Sequence, residues 1–417
     1  MKSKENIGHI VRCQICSAPN LKTVLSLGHH APVHSHLTKE QLLEGEMTYP
    51  LNLVRCAECG LFQLDYIGDP EVIFPPEYPY QTGLTNMLIR NFRELANLLT
   101  KKYKLNSNDL IVDIGSNDGT LLQGFKEEGI RVLGIEPTNI AKIANENNIP
   151  TIQEYFTKET ANNIVSKHGK AKIVTLTNAF AHINNLFEIM EGIDLILSDD
   201  GVFISESQYI LDAVEKTAFD TIYHEHLRFY SLKPLKKLFS LTGFSMIDAE
   251  RIGAAGGSIR VYAMKGKHKT SSRAEKLIEK EDEARLYDDG TLKKFKTNAI
   301  RIKQDLMRIL LNCKKEGAEI VSIGAPARGS SFLNFIKIDN TILDYACEKK
   351  GSPKIGLFTP GTHIPIVDEE KLFEEQPKYA LILSWHIGEE LMKLMRKFGY
   401  KGKFIMPLPK PRIIDEI

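Results

Sequence analysis

The chain has 417 residues, of which 42% are hydrophobic and 26% charged, and a net charge of +1. That length exceeds one hydrophobic core and suggests about three domains, while the near-zero charge excludes a global field that would draw in nucleic acid or an acidic membrane. The opening MKSKENIGHI lacks the apolar run of a secretory signal, and no run of about 18 apolar residues offers a bilayer span, so the expected compartment is the cytoplasm.

Four of the six cysteines fall into two C-x-x-C knuckles, Cys13-Gln14-Ile15-Cys16 and Cys56-Ala57-Glu58-Cys59. Two such knuckles supply four thiolates for a closed, tetrahedral and therefore structural Zn²⁺ site. A disulfide pairing fits a reducing compartment less well, and His29 and His30 are weaker alternative ligands. Cys313 and Cys347 lack a partner motif and read as small buried apolar residues. A zinc-binding domain over residues 1–70 follows, with a strand at 48–54.

The Pro/Tyr-rich connector 74–80 is extended, because its prolines forbid helix. Leu88, Phe92, Leu95, Leu98 and Leu99 then recur at helical spacing, which predicts an amphipathic helix over 86–102. Short apolar runs at 110–115, 132–136, 173–176 and 201–205 predict strands alternating with helices, hence a parallel doubly wound sheet, closed by 259–263. The charged stretch 271–315 reads as a solvated helical linker broken at 287–290. Strands at 320–324, 342–345 and 379–383 predict a second, smaller α/β domain ending near Pro407.

Asp113-Ile114-Gly115-Ser116-Asn117-Asp118-Gly119 ends one strand and opens a helix. Its glycines are four apart, so it is not the dinucleotide fingerprint, and Glu136 stands at the end of the next strand, where an acid accepts bonds from ribose hydroxyls. This pattern resembles the class I S-adenosylmethionine methyltransferases. Asn178-Ala179-Phe180-Ala181-His182 follows a later strand, at the place where such enzymes close the pocket around the methionine half. Within 219–230, Tyr223, His224, Glu225 and His226 are consecutive. An imidazole titrates near neutrality and a neighbouring carboxylate orients it or raises its basicity, the ingredients of proton transfer.

Taken in order, the knuckles, the 113–119 loop, Asn178–His182, Tyr223–His226 and Gly361-Thr362-His363-Ile364-Pro365-Ile366 resemble the C-methyltransferases that act on nucleotide-bound 4-keto deoxysugars. The resemblance covers essentially the whole chain. It implies an α/β fold with a zinc-binding N-terminal module, a class I methyltransferase Rossmann-like domain (71–268), a helical linker (269–315) and a C-terminal Rossmann-like substrate domain (316–417). It implies catalysis by Tyr223, Glu225 and His226 with His182 facing them, His226 being the favoured base. Asp113, Gly115, Asn117, Gly119, Glu136, Asn178 and Tyr78 are implied at the S-adenosylmethionine site, and Arg328, Ser258, Arg260, Lys354, Thr362 and His363 at the nucleotide-sugar site. Cys13, Cys16, Cys56 and Cys59 would hold Zn²⁺. A monomer with no nucleic-acid or membrane partner is expected.

Chemistry agrees with that assignment. Carbon becomes a nucleophile when a proton α to a carbonyl is removed, so a base must reach that C–H and donors must await the enolate oxygen. His226 suits the first task, Tyr223 and His182 the second, and Glu225 either fixes the imidazole tautomer or shares the proton. Two stretches, Gln81–Thr85 and Ser384-Trp385-His386, depart from the family pattern where ligands would be held. The alternatives are methylation of an oxygen or nitrogen acceptor and, in another class, a non-catalytic zinc-dependent binding scaffold.

Overall fold

The computed structural model describes residues 7–74, 78, 80–84 and 86–415; part of the proline-rich connector, at 75–77 and 79, therefore lies outside the described residues. The N-terminal module carries β1 (Gly8–His9), β2 (Leu21–His30), β3 (Tyr49–Cys56), β4 (Phe62–Leu64) and β5 (Tyr66–Ile67). The strand expected at 48–54 is β3, and its antiparallel partner β2 was not anticipated: two register shifts along the pair blur the alternation by which a strand is recognised.

The central sheet is built from β6 (Leu110–Ile114), β7 (Arg131–Ile135), β8 (Thr151–Ile152), β9 (Ala171–Thr177) and β10 (Leu197–Gln208). After β11 (Arg228–Phe229), it is completed by β12 (Phe244–Ile252) and β13 (Ser258–Lys265). The order is β12-β13-β10-β9-β6-β7-β8. Neighbours from β10 through β8 pair in parallel, while β13 runs antiparallel to both β10 and β12. The apolar runs at 110–114 and 131–135 are strands because helices cover both faces of a parallel sheet, leaving no polar side to alternate with. Strand 259–263 does not close the sheet as expected. It lies one position in, with β12 at the edge.

Strand β11 leaves this sheet altogether. Arg228 and Phe229 pair antiparallel with Gln63 and Phe62 of β4, giving the zinc module a four-stranded sheet of order β11-β4-β3-β2. The chain beyond residue 315 forms β14 (Ile320–Ile323), β15 (Tyr345–Glu348), β16 (Ile366–Asp368), β17 (Tyr379–Ile382), β18 (Lys403–Met406) and β19 (Arg412–Ile414), ordered β16-β15-β14-β17-β18-β19. The strand expected at 342–345 starts only at Tyr345, because the Ile342 and Leu343 amides both donate to the Asp339 carbonyl (3.0 Å each) in a turn. The domain also runs past Pro407, through antiparallel β19.

The stretch expected to be a solvated linker is instead part of the core. Asp288 caps the helix Asp289–Lys315, accepting from the Gly290 and Thr291 amides, and the break before it falls where expected. Leu292, Phe295, Ala299, Ile302, Leu306, Leu310 and Cys313 are buried along one face. The preceding helix Ser272–Glu283 buries Glu281, which accepts from Tyr209 (2.9 Å), Tyr287 (2.6 Å) and the Leu232 amide (2.7 Å). The many charges hid a narrow apolar stripe at helical period. Replacing the fully buried Leu306 by Ala is expected to cost about 2–5 kcal/mol in urea unfolding, whereas a solvated linker would lose under about 0.5 kcal/mol.

Candidate active site

The four knuckle sulfurs all lie within 4.8 Å of one another. Cys13 and Cys59 Sγ are 3.4 Å apart, Cys16 and Cys56 Sγ 3.5 Å. Thiolates bound to zinc at about 2.3 Å in a tetrahedron stand about 3.8 Å apart, so the donor set fits that ion. The Ile15 and Cys16 amides point at Cys13 Sγ, at 3.4 and 3.5 Å, as suits a thiolate. Neither histidine alternative takes part: His30 is buried with Nε2 against the Leu27 carbonyl (3.1 Å), and His29 pairs with Pro50 in the β2–β3 ladder.

In the central domain, Gly115 follows β6 with φ +70°, and a Cβ there would stand 2.7 Å from the Ala179 side chain. Only glycine meets both demands. The same contact draws the β6 and β9 ends together, since Asn178 (φ +57°) follows β9 and its amide donates to the Glu206 carbonyl (2.7 Å). Glu136 is fixed by two backbone amides, Asn117 to Oε2 (3.0 Å) and Thr138 to Oε1 (2.9 Å). Asp113 is buried under the Thr175 hydroxyl (2.6 Å), and burial pushes its carboxyl up to about 7. Gly119 has φ +79° where the helix Thr120–Glu127 begins. The segment 80–83 covers this loop, with the Thr82 amide on Asn117 Oδ1 (2.8 Å) and the Gly83 amide on Asp118 Oδ2 (2.6 Å). A crevice at the carboxyl ends of two parallel strands, with a fixed acid and a side-chain-free turn, suits a nucleoside ligand such as S-adenosylmethionine.

Residues 219–229 pack against the segment that follows β9, at Ala181 and His182. Phe219–Thr221 is a single 3-10 turn, and every residue from Phe219 to Tyr230 is buried, so the run is not a solvated loop. The His226 ring stands 3.9 Å from that of Tyr223 and 5.0 Å from that of His182, centroid to centroid. His226 Nδ1 is 2.7 Å from the Thr221 carbonyl. Burial drives the His226 imidazole well below its ordinary pKa and lowers His182 to about 4. Glu225 does not orient His226, as one expectation had it. Its Oε2 accepts from Tyr78 (3.0 Å), Oε1 lies 3.3 Å from His34 Nε2, and burial raises the acid to about 8. His224 turns the other way, toward the Pro50 carbonyl and the Tyr49 ring of the zinc module.

Three elements hold this loop. The Leu64 amide donates to the Leu227 carbonyl (3.0 Å) beside the β4–β11 pairing, and the Leu227 amide donates to the Ala181 carbonyl (2.9 Å). Arg228, fully buried, donates to the carbonyls of Ile183 and Asn184, beyond His182. From the C-terminal domain, the Arg328 guanidinium grips Asp220 through Nε (2.9 Å) and NH2 (3.1 Å), and Trp385 Nε1 donates to the same carboxylate (2.9 Å). Stripping one partner from so buried an ion pair strands a charge, at a cost of about 3–5 kcal/mol. Neither Asp220 nor His34 was singled out from sequence, since nothing local marks either.

The other residues expected at the sugar nucleotide are engaged within the fold. Ser258 donates to the Ala254 carbonyl (3.0 Å), and Arg260 bonds Glu206 (2.9 Å), Glu250 (3.2 Å) and Asn91 (3.1 Å). Lys354 reaches the Ala325 carbonyl (2.8 Å) at the mouth of the helix Ala327–Ile336. Thr362 shares a hydrogen bond with Thr359 (2.7 Å), and His363 meets Glu46 of the zinc module (3.0 Å), which also accepts from the Gly361 amide.

Two outcomes are expected. Burial holds His30, His34, His36, His182, His224, His226 and His386 neutral, with folded values below the ordinary 6.5. The unfolded chain therefore binds more protons as pH falls through 6.5, and stability is lost from there downward. Asp65, Asp113, Glu225, Glu281 and Glu369, raised by burial, oppose this, but they are five against seven, so the urea midpoint should fall between pH 7 and 5. Chelating the metal should loosen the knuckle that anchors β4, and through β11 abolish methyl transfer. S-adenosylmethionine affinity by calorimetry should survive, and added Zn²⁺ should restore turnover.

Family models match along the chain: a zinc binding domain at residues 13–74, a methyltransferase domain at 86–249 and a C-methyltransferase C-terminal domain at 253–409. The C-methyltransferase NovU of Streptomyces niveus is 30% identical over 410 residues, covering 97% of each chain. Among solved structures, a SAM-dependent methyltransferase from Anabaena variabilis aligns at 15% identity and TM-score 0.34, over 42% of this chain and 84% of its own. Another, from Clostridium acetobutylicum, aligns at 10% identity and TM-score 0.35, over 43% and 92%. With a relative matching from end to end and a family model for each part, the chain belongs to the S-adenosylmethionine-dependent C-methyltransferases and carries a structural zinc site.

Proposed function

We propose that the enzyme C-methylates a nucleotide-activated keto-deoxysugar, in branched-sugar biosynthesis, after His226 removes the proton α to the ketone. The observation that carries this reading is the 2.7 Å contact from His226 Nδ1 to the Thr221 carbonyl. A carbonyl only accepts, so Nδ1 bears the hydrogen and Nε2 keeps its lone pair. Burial keeps the ring neutral down to low pH, so the base is in its active form throughout the working range. Glu225, raised to about 8, is largely protonated near neutrality and is a donor there rather than a base.

As the proton passes to Nε2, charge develops on the ketone oxygen. Burial holds the Tyr223 hydroxyl far above its ordinary pKa, so it stays a donor, and neutral His182, whose ring lies 5.0 Å from that of His226, offers an N–H; donors fixed before reaction spare reorganisation. S-adenosylmethionine, when bound, supplies an electrophilic methyl, so that a carbon–carbon bond forms as the carbon–sulfur bond breaks. The nucleotide half is assigned to the C-terminal domain, where Lys354 stands at the opening of Ala327–Ile336, a helix terminus that favours anions. Arg328, locked on Asp220, is assigned the task of holding the 219–229 loop. NovU is named a C-methyltransferase, which agrees with carbon as the acceptor atom.

Heteroatom transfer would not need a buried carbon base. In deuterated water, with S-adenosylhomocysteine in place of the donor, the enzyme should exchange the α hydrogen of its keto sugar nucleotide. His226→Asn should lose both exchange and turnover by about 10²–10⁴-fold, with donor and acceptor affinities kept. Turnover without any exchange would instead favour an oxygen or nitrogen acceptor.

A further inference from the structure

The zinc module delivers a side chain of its own to the reacting cluster. His34 follows β2, and its side chain is 6% exposed. Nε2 lies 3.3 Å from Glu225 Oε1 without hydrogen-bond alignment, so Oε1 has no hydrogen-bond partner among the described residues, whereas Oε2 accepts from Tyr78. The His34 ring also meets the Tyr78 ring edge-on, centroids 5.2 Å apart. Its electrostatic neighbours are Lys354 of the C-terminal domain, His36 and His182. The Nδ1 atom is buried and has no hydrogen-bond partner among the described residues.

Protonation decides what that atom is. Burial pushes Glu225 up to about 8 and His34 down to about 3, so near neutrality a protonated carboxyl faces a neutral imidazole. Oε2 is occupied in accepting from Tyr78, which leaves the acid proton for Oε1, 3.3 Å from Nε2, where a small turn of the carboxyl would align it. A neutral imidazole has a single N–H. With Nε2 accepting, that hydrogen is on Nδ1, and a buried donor without a partner calls for one.

We propose that His34 binds the acceptor, taking the Glu225 hydrogen bond at Nε2 and donating from Nδ1–H to a hydroxyl or carbonyl oxygen of the sugar. This rests on the reading of the 223–226 cluster as the reacting site. It makes the zinc-binding module part of acceptor recognition, by a residue outside the metal knuckles.

The test compares binding of TDP, GDP and CDP with that of their 4-keto-6-deoxyglucose conjugates, by calorimetry with S-adenosylhomocysteine present. His34→Phe and His34→Gln, which lack a donor at the Nδ1 position, should lose about tenfold or more in affinity for the conjugate, the worth of one hydrogen bond. Free nucleotide and S-adenosylmethionine affinities and zinc content should not change. His34→Asn, whose amide reaches the Nδ1 position, should keep the conjugate. In infrared spectra the protonated carboxyl band, assigned with Glu225→Gln, should shift in the Phe and Asn variants and hold in Gln. Conjugate affinity in His34→Phe within about twofold of the parent would overturn the proposal. If the Phe variant fails to fold, equal conjugate affinity in Gln and Asn would do so. Full turnover by His226→Asn would instead sink the reading beneath it, and leave the binding result standing.

Discussion

Two residues of backbone pairing, Arg228–Phe229 against Phe62–Gln63, join the metal-binding module to the loop that carries the titratable cluster. A loop holding two acidic side chains and two histidines in a dry interior does not keep one conformation by its own propensity. Each buried polar group needs a partner, and here the partners come from outside: a strand of the zinc module, carbonyls of 181–184, and the Arg328 guanidinium. The metal knuckle thus lies upstream of the chemistry although its sulfurs are not part of it.

Burial does the electrostatic work. Desolvation is the largest influence on His226, His182, Glu225 and Tyr223 alike, and it favours the neutral form of each. The consequence is a cluster of uncharged acids and bases beside the Arg328–Asp220 ion pair. Fixed hydrogen bonds then matter more than net charge. The Thr221 carbonyl selects the tautomer of His226, and Asp220, next to it in sequence, is the group clamped by Arg328 and Trp385.

What the sequence displayed and what it concealed divide along a physical line. Strands β6 and β7, the Gly115 turn, the knuckles and the Tyr223–His226 run were legible because each is a local pattern tied to a local constraint. The partners of those patterns were not. His34 is one histidine among several near the N-terminus, Asp220 looks like any surface acid, and β11 is too short to show alternation. The stripe on Asp289–Lys315 was masked by lysines and arginines that occupy its solvent side. Arg328 was expected at the sugar nucleotide, yet its counter-ion is more than a hundred positions away in sequence. Long-range pairing leaves no mark in a single sequence.

The strand order of the N-terminal sheet also bears on biogenesis. Strand β4, which pairs with β11 at the edge of that sheet, emerges from the ribosome long before β11 exists to cover it, so the nascent module presents a bare edge of unpaired amides and carbonyls. The metal can be captured early, but the sheet is sealed only once the methyltransferase half has been translated. Chimeras that graft this module onto an unrelated enzyme would inherit that open edge as a site of aggregation.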